Sequence, residues 1–366
     1  MRVKAYVLRD IQKAVSVPLN TLGYRDFVSE PDWHRNLISF TSILYHPGRN
    51  SVVCGLTSFD TDIMYEFNLT ANAFHSLNYK NVSEQFEIKI HRSLALDSNG
   101  RIYGATACLH REDQRHNGAG GRIFCFDFAT RSYDFLGVPI PPDYIQTITL
   151  DEERGLIYGC TYPVFNFFVF DIQRRALRYQ HYVGSIPHIM AIDDQGCVWS
   201  TWNNRTHNLF KYDPEQNKIV FFNHSLPSAK SAANLMYPGA GPIDMMLNGG
   251  DGYIYVGEAS GALLRIEPKT ARVEYLGKPC PQVRLPALEV GPDGLLYGVA
   301  GFEGECHIFA YDREKRSFKD FGLIADSDNG KRCFIPHDMC ITPDGRIFIG
   351  ETDTRERAGY LWECSI

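Results

Sequence analysis

LALDSNGRIYGAT (94–106), ITLDEERGLIYGCT (148–161), MAIDDQGCVWST (190–201), MMLNGGDGYIYVGE (245–258), LEVGPDGLLYGVA (288–300) and MCITPDGRIFIGE (339–351) repeat one pattern. An apolar strand runs into an Asp/Pro-x-Gly turn, and a second apolar strand ends at or near a glycine. A degenerate copy, SILYHPGRNSVVCGLT (42–57), comes first and brings the number to seven. Self-similarity at roughly 40–50 residues is the signature of a propeller or solenoid. The pattern predicts an all-β chain, a seven-bladed β-propeller of four-stranded antiparallel blades. Its blades are expected near 41–86, 91–137, 145–182, 187–224, 242–277, 285–322 and 336–366 plus 3–8.

Each copy continues through a third strand ending in Phe126-Asp127, Phe170-Asp171, Tyr212-Asp213, Ile266-Glu267 or Tyr311-Asp312. A turn and an outer strand follow, as in YDFLG (133–137), VEYLG (273–277) and FKDFG (318–322). The last copy stops after three strands, at GYLWECSI. The β-branched and aromatic segment VKAYVL (3–8) is the expected fourth, so the ring closes by pairing first and last segments and loses its open edge. Residues 10–40 fit no blade and read as a loop or cap. A closed ring makes all 366 residues one domain.

Composition removes several functional classes. Apolar residues make up 44% of the chain and aromatics 13%, which supplies large sheet cores and excludes disorder. The net charge is −6 with no basic block, so a nucleic-acid footprint is not expected. No apolar run approaches the roughly 18 residues of a membrane span. The N-terminus lacks the apolar core of a secretory signal and the ten cysteines are scattered singly, so a reducing cytoplasm is expected. A monomer or small homo-oligomer suits such a ring.

A propeller brings the same position of every repeat to one axis. Just before each innermost strand stand Thr41, Arg92, Gln146, His188, Ile243, Pro286 and His337, with His91, Asp244 and Asp338 one step to either side. Small or apolar residues would suffice for a structural ring. Imidazoles, an amide and a guanidinium gathered there point to a site at the mouth of the channel, because His titrates near neutrality. Loops on the same face add His110, Tyr162, Arg205, His207 and Arg355, while Glu258, Glu303 and Glu305 read as solvated loop charges.

The candidate catalytic set is therefore His91, His110, Tyr162, His188 and His337. Arg92, Gln146, Arg205, His207, Asp244 and Arg355 are expected to bind substrate. A divalent cation (Mn, Ca or Zn) held by His188, His337 and Gln146 is a further expectation, resting on ring convergence alone, since no HxH or HExxH spacing occurs. A His or Tyr base with a nearby cation suits β-elimination from a uronic acid, where the base takes the proton α to the carboxylate. Hydrolysis by paired carboxylates is less well supplied. A glycoside hydrolase on this scaffold and a non-enzymatic ligand- or protein-binding propeller are the alternatives.

With these residues in view, the chain resembles the seven-bladed propeller polysaccharide lyases: ulvan and rhamnose–glucuronate lyases and, more distantly, oligogalacturonate lyase. The blade pattern carries the resemblance over most of the chain. His91 and His110 match a His at the start of a blade and another in its next upper loop, and Tyr162 matches a Tyr of the following blade. The Arg that those enzymes take from that blade has no evident counterpart. His188, His337, His91 and Gln146 echo the His/Gln manganese site of oligogalacturonate lyase in type. Virginiamycin B lyase is similar in its short Pro-Asp-Gly turns and a catalytic His. The resemblance implies an oligosaccharide or polysaccharide substrate.

Overall fold

The computed structural model describes residues 1–9, 37–110, 112–184, 189–203, 206–226, 243–352, 354 and 357–366. The chain is all-β, with seven antiparallel blades arranged in a ring. Blade three shows the unit, with Tyr144–Asp151 innermost, then Leu156–Tyr162, Asn166–Asp171 and Ala176–Tyr182. Blade one is widened by two short strands, Glu87–Lys89 and Ala107–Cys108.

The turn of the repeat signature has a direct physical basis. In blade two Asp97 Oδ1 accepts the main-chain N–H groups of Asn99 and Arg101, and Asp193 does the same for Gln195 and Cys197 in blade four. The glycine that completes the turn is left-handed in blades two, four, six and seven, with φ of 79° at Gly100, 80° at Gly196, 81° at Gly294 and 84° at Gly345. Glycine adopts that geometry without steric cost. The second signature glycine answers to packing. A Cβ at Gly104, Gly159 or Gly298 would overlap the ring of Phe124, Phe168 or Phe309 from the third strand of the same blade. Blade four is the exception, with Ser200 in the same pairing opposite Phe210. Gly159→Ala is expected to lower stability by about 1–3 kcal/mol, the usual cost of overpacking. Thermal melts against Ser200→Ala would check this; an unchanged melting temperature for Gly159→Ala would contradict it.

Apolar cores lie between blades. Phe124 and Phe126 of blade two meet Val53 and Met64 of blade one, and Tyr158 and Phe167 of blade three meet Val198 and Phe210 of blade four. Because both faces of a blade are covered, its middle strands read as nearly continuous apolar runs. All ten cysteines are buried and unpaired. No helix among the described residues is long and apolar enough to cross a membrane.

The ring closes as expected, in a shifted frame. The closing strand is Arg2–Tyr6, antiparallel to Leu361–Ser365, with Val3 opposite Cys364 and Ala5 opposite Trp362. Its outer side is also held: Ala5 N–H donates to Asp326 Oδ2 at 2.9 Å, and Val3 N–H donates to Ser327 Oγ at 2.9 Å.

Candidate functional site at the channel mouth

A β-bulge recurs at the start of the innermost strand and aims the site's side chains. Phe40 and Ser42 oppose consecutive residues of the next strand and leave Thr41 over. Ile145 and Thr147 do the same around Gln146, Ile243 and Met245 around Asp244, and Pro336 and Asp338 around His337. Bulges re-aim a side chain without ending the ladder. Two expectations are corrected here. In these blades the positions lie within the innermost strand, not before it. In blade five the equivalent residue is Asp244 rather than Ile243, which is paired with Glu258.

His91 of blade two and His337 of blade seven meet across blade one. Their Nε2 atoms lie 3.1 Å apart, with ring centroids at 4.8 Å and planes at 76°. Both are buried. His91 Nδ1 lies 2.8 Å from the main-chain oxygen of Gln146. A carbonyl only accepts, so the proton sits on His91 Nδ1. Neutral His91 then has a bare Nε2 and receives the hydrogen of His337 Nε2. Neutral His337 is left with a bare Nδ1, buried and without a partner. Burial, followed by the charge of Arg92 and, more weakly, those of Arg284 and Lys89, holds His337 well below the usual imidazole range.

Arg92 crosses the ring. Its Nη2 donates to Pro286 O at 3.0 Å and its Nη1 lies 3.6 Å from Met245 Sδ, so blade two reaches blades five and six. Its backbone is left-handed, with φ of 44°. Asp244 receives Arg284, whose Nε and Nη2 lie 3.2 Å and 3.4 Å from its carboxylate oxygens. Further along the innermost strands, burial pushes the Asp338 carboxyl up to about 6, against the opposing charge of Arg92. Glu289 is pushed up to about 7 by burial and then by the charge of Asp338.

The remaining candidates are more scattered. His110 packs edge-on against Phe86, with ring centroids at 5.3 Å. Tyr162 lies against Tyr144 and packs on the same small cluster as Phe86, so His110 and Tyr162 share one upper-face grouping. His207 lies in the blade-four loop with a left-handed φ of 48°, and burial lowers its pKa. Gln146 acts on His91 through its backbone carbonyl. His188, Arg205 and Arg355 lie outside the described residues. The expected cation set of His188, His337 and Gln146 therefore has one member outside them. Among the described residues no three His, Cys, Asp or Glu side chains converge to hold a metal ion.

Sequence reasoning missed Arg284 and Glu289, and misread Glu258. Glu258 is 2% exposed rather than solvated. Ser260 Oγ donates to its Oε2 at 2.9 Å, its Oε1 has no partner, and burial pushes its carboxyl up to about 7. A carboxyl raised from 4.5 in the unfolded chain to about 7 adds stability that is complete below 4.5 and lost as pH rises through 7. Glu258→Gln is therefore expected to gain on the parent protein between about pH 5 and pH 8. Melting curves across that range would show it; parallel curves would contradict it.

No protein-family model matches the chain, and no curated protein does. Solved structures do. The structure of a streptogramin B lyase superposes with a TM-score of 0.62 at 14% identity, covering 98% of this chain and 97% of that one. The extracellular domain of the putative hybrid two-component system BT4673 from B. thetaiotaomicron gives 0.60 at 13% identity, over 96% of this chain and 39% of that one. That of BT3049 from the same organism gives 0.60 at 13%, over 89% and 40%. Together they show a shared seven-bladed propeller fold.

Proposed function

We propose that the protein is a carbon–oxygen lyase that cleaves a uronic-acid-containing oligo- or polysaccharide by β-elimination at the channel mouth. The hydrogen-bond chain from Gln146 O through His91 to His337 carries this reading, because its polarity leaves one buried imidazole nitrogen bare. His337 Nδ1 takes the proton α to the substrate carboxylate. The C–H electron pair forms the new carbon–carbon double bond, the β carbon–oxygen bond breaks, and the leaving oxygen takes a proton from water. The products are an unsaturated uronide and a new hydroxyl end. Arg92, near the axis, supplies positive charge where the enediolate develops. The fold shared with a lyase and the resemblance of His91, His110 and Tyr162 to propeller polysaccharide lyases lend further support.

The test is product chemistry. Incubation with uronide-containing polysaccharides is expected to give a rise in ultraviolet absorbance from the conjugated double bond. New reducing ends without that absorbance would mean a glycoside hydrolase. No product from any uronide would sink the enzymatic reading and leave a binding propeller, the role suggested by the sensor domains that share the fold.

A further inference from the structure

We infer that Arg284 is the anion clamp of this site, and that its ligand is a carboxylate with a hydrogen-bearing group on the adjacent carbon. The inference rests on the channel-mouth reading of the site but not on the reaction assigned to it. Arg284 is 1% exposed and left-handed, with φ of 66°. Its main-chain N–H donates to Ala259 O at 2.9 Å, tying it to blade five. Nε and Nη2 are taken by Asp244, and the guanidinium carbon stands 5.8 Å from the Phe302 ring centroid. Nη1 is buried with no hydrogen-bond partner.

A buried donor left unmade costs about 1–3 kcal/mol, and more on a charged group. Such an atom in a packed interior calls for an explanation, and a missing ligand is one. His337 Nδ1 is another such atom, of the opposite polarity. Arg92 reaches Pro286 O, two residues from Arg284, and Met245 Sδ, next to Asp244, so two guanidinium groups converge on this sector. Against them stand the carboxylate of Asp244 and the buried carboxyls of Asp338 and Glu289, the last two pushed toward their neutral forms by burial. An orphaned cationic donor and an orphaned neutral acceptor, near enough for the charge of Arg284 to act on His337, fit a carboxylate oxygen and a hydrogen close to it. A neutral sugar offers Arg284 no charge. Left-handed backbone at both arginines is strain of the kind that persists where the surroundings over-determine it, often at ligand clamps.

Titration calorimetry of the full chain tests this with sodium glucuronate, its methyl ester and glucose. Glucuronate should bind, and the uncharged ester and glucose should bind at least about tenfold more weakly, as loss of a charge-assisted contact implies. Arg284→Gln should bring glucuronate down to the level of the ester. Should that variant not fold by circular dichroism, Arg284→Lys, which keeps the charge but loses the fork, should show a smaller loss. Tighter binding of a glucuronate-bearing tetrasaccharide than of free glucuronate would identify a chain as the source of the carboxylate; the reverse would identify a free sugar acid.

Glucose or ester binding as tight as glucuronate, no glucuronate binding, or unchanged binding by the Arg284 variants would overturn the clamp. The two readings separate by readout, binding for the clamp and turnover for the lyase. Arg284-dependent binding without turnover of any uronide leaves the clamp standing and the lyase reading fallen. Turnover by Arg284→Gln with unchanged KM does the opposite.

Discussion

Replacing His337 with alanine is expected to lower kcat by about 10²–10⁴-fold, the usual contribution of a positioned general base. The size follows from the geometry. His337 Nδ1 is the terminal acceptor of a chain whose direction is set by the Gln146 carbonyl. His337→Gln would keep the volume and serve as the folding control. The pH profile is a second readout. Burial and four nearby positive or potentially positive groups hold His337 well below the ordinary value, so its free base persists on acidification. The acid limb of kcat/KM should lie below about 6.5, the unperturbed imidazole value. Removing a neighbouring cation, as in Arg92→Gln, should move that limb upward. A limb at or above 6.5 in the parent protein, or a His337→Ala variant with parental kcat, would remove His337 from the role of base. The same depression acts on stability with a definite sign. This contribution is present above the unfolded-chain value and is lost as pH falls from there to the folded one.

Deleting residues 1–6 is expected to destabilise the protein by about 3–6 kcal/mol, from lost apolar burial and lost hydrogen bonds. The deletion uncovers Trp362 and Cys364, both fully buried, and leaves Leu361–Ser365 as an open edge. Asp326 and Ser327 lose the main-chain donors of Ala5 and Val3. Exposed strand edges template association, so faster aggregation should accompany the lower melting temperature. Asp326→Ala, which removes one of these bonds, should cost only about 1 kcal/mol. A truncated protein that melts within a few degrees of the parent would show that the closing strand contributes little.

The two expectations differ in how far the chain alone could reach them. VKAYVL (3–8) offered a β-forming segment to a final repeat short by one strand, and the repeat count required a partner for it. Only the frame changed, to Arg2–Tyr6, because strand ends depend on what flanks them. His91 and His337 could be nominated because ring geometry brings equivalent positions together. That they touch through Nε2, and that a backbone carbonyl sets their protonation, depends on bulges that no periodicity reveals. Blade five makes the same point. Alignment by strand placed Ile243 at the mouth, and one extra residue in the ladder put Asp244 there instead.

Arg284 escaped notice because its segment, Gln282-Val283-Arg284-Leu285, reads as an ordinary connection. Its signal would have been a charged residue two places upstream of the aligned ring position, a weak cue without the partner Asp244 in view. Glu258 was misplaced for the opposite reason. It ends a strand at the upper face, where charges are usually solvated, yet it is buried.

The sequence by itself determined the number of blades, the turns that separate their strands, the continuous apolar runs of strands covered on both faces, and the closure of the ring. These follow from local chemistry that recurs from blade to blade: left-handed glycine after an Asx-capped turn, and in three blades glycine beneath an aromatic ring. The tertiary structure alone decided which polar atoms at the axis are satisfied. Hydrogen bonds and ion pairs across the channel join blades two, five, six and seven over long stretches of chain, and their polarity is set by single contacts with no period to read.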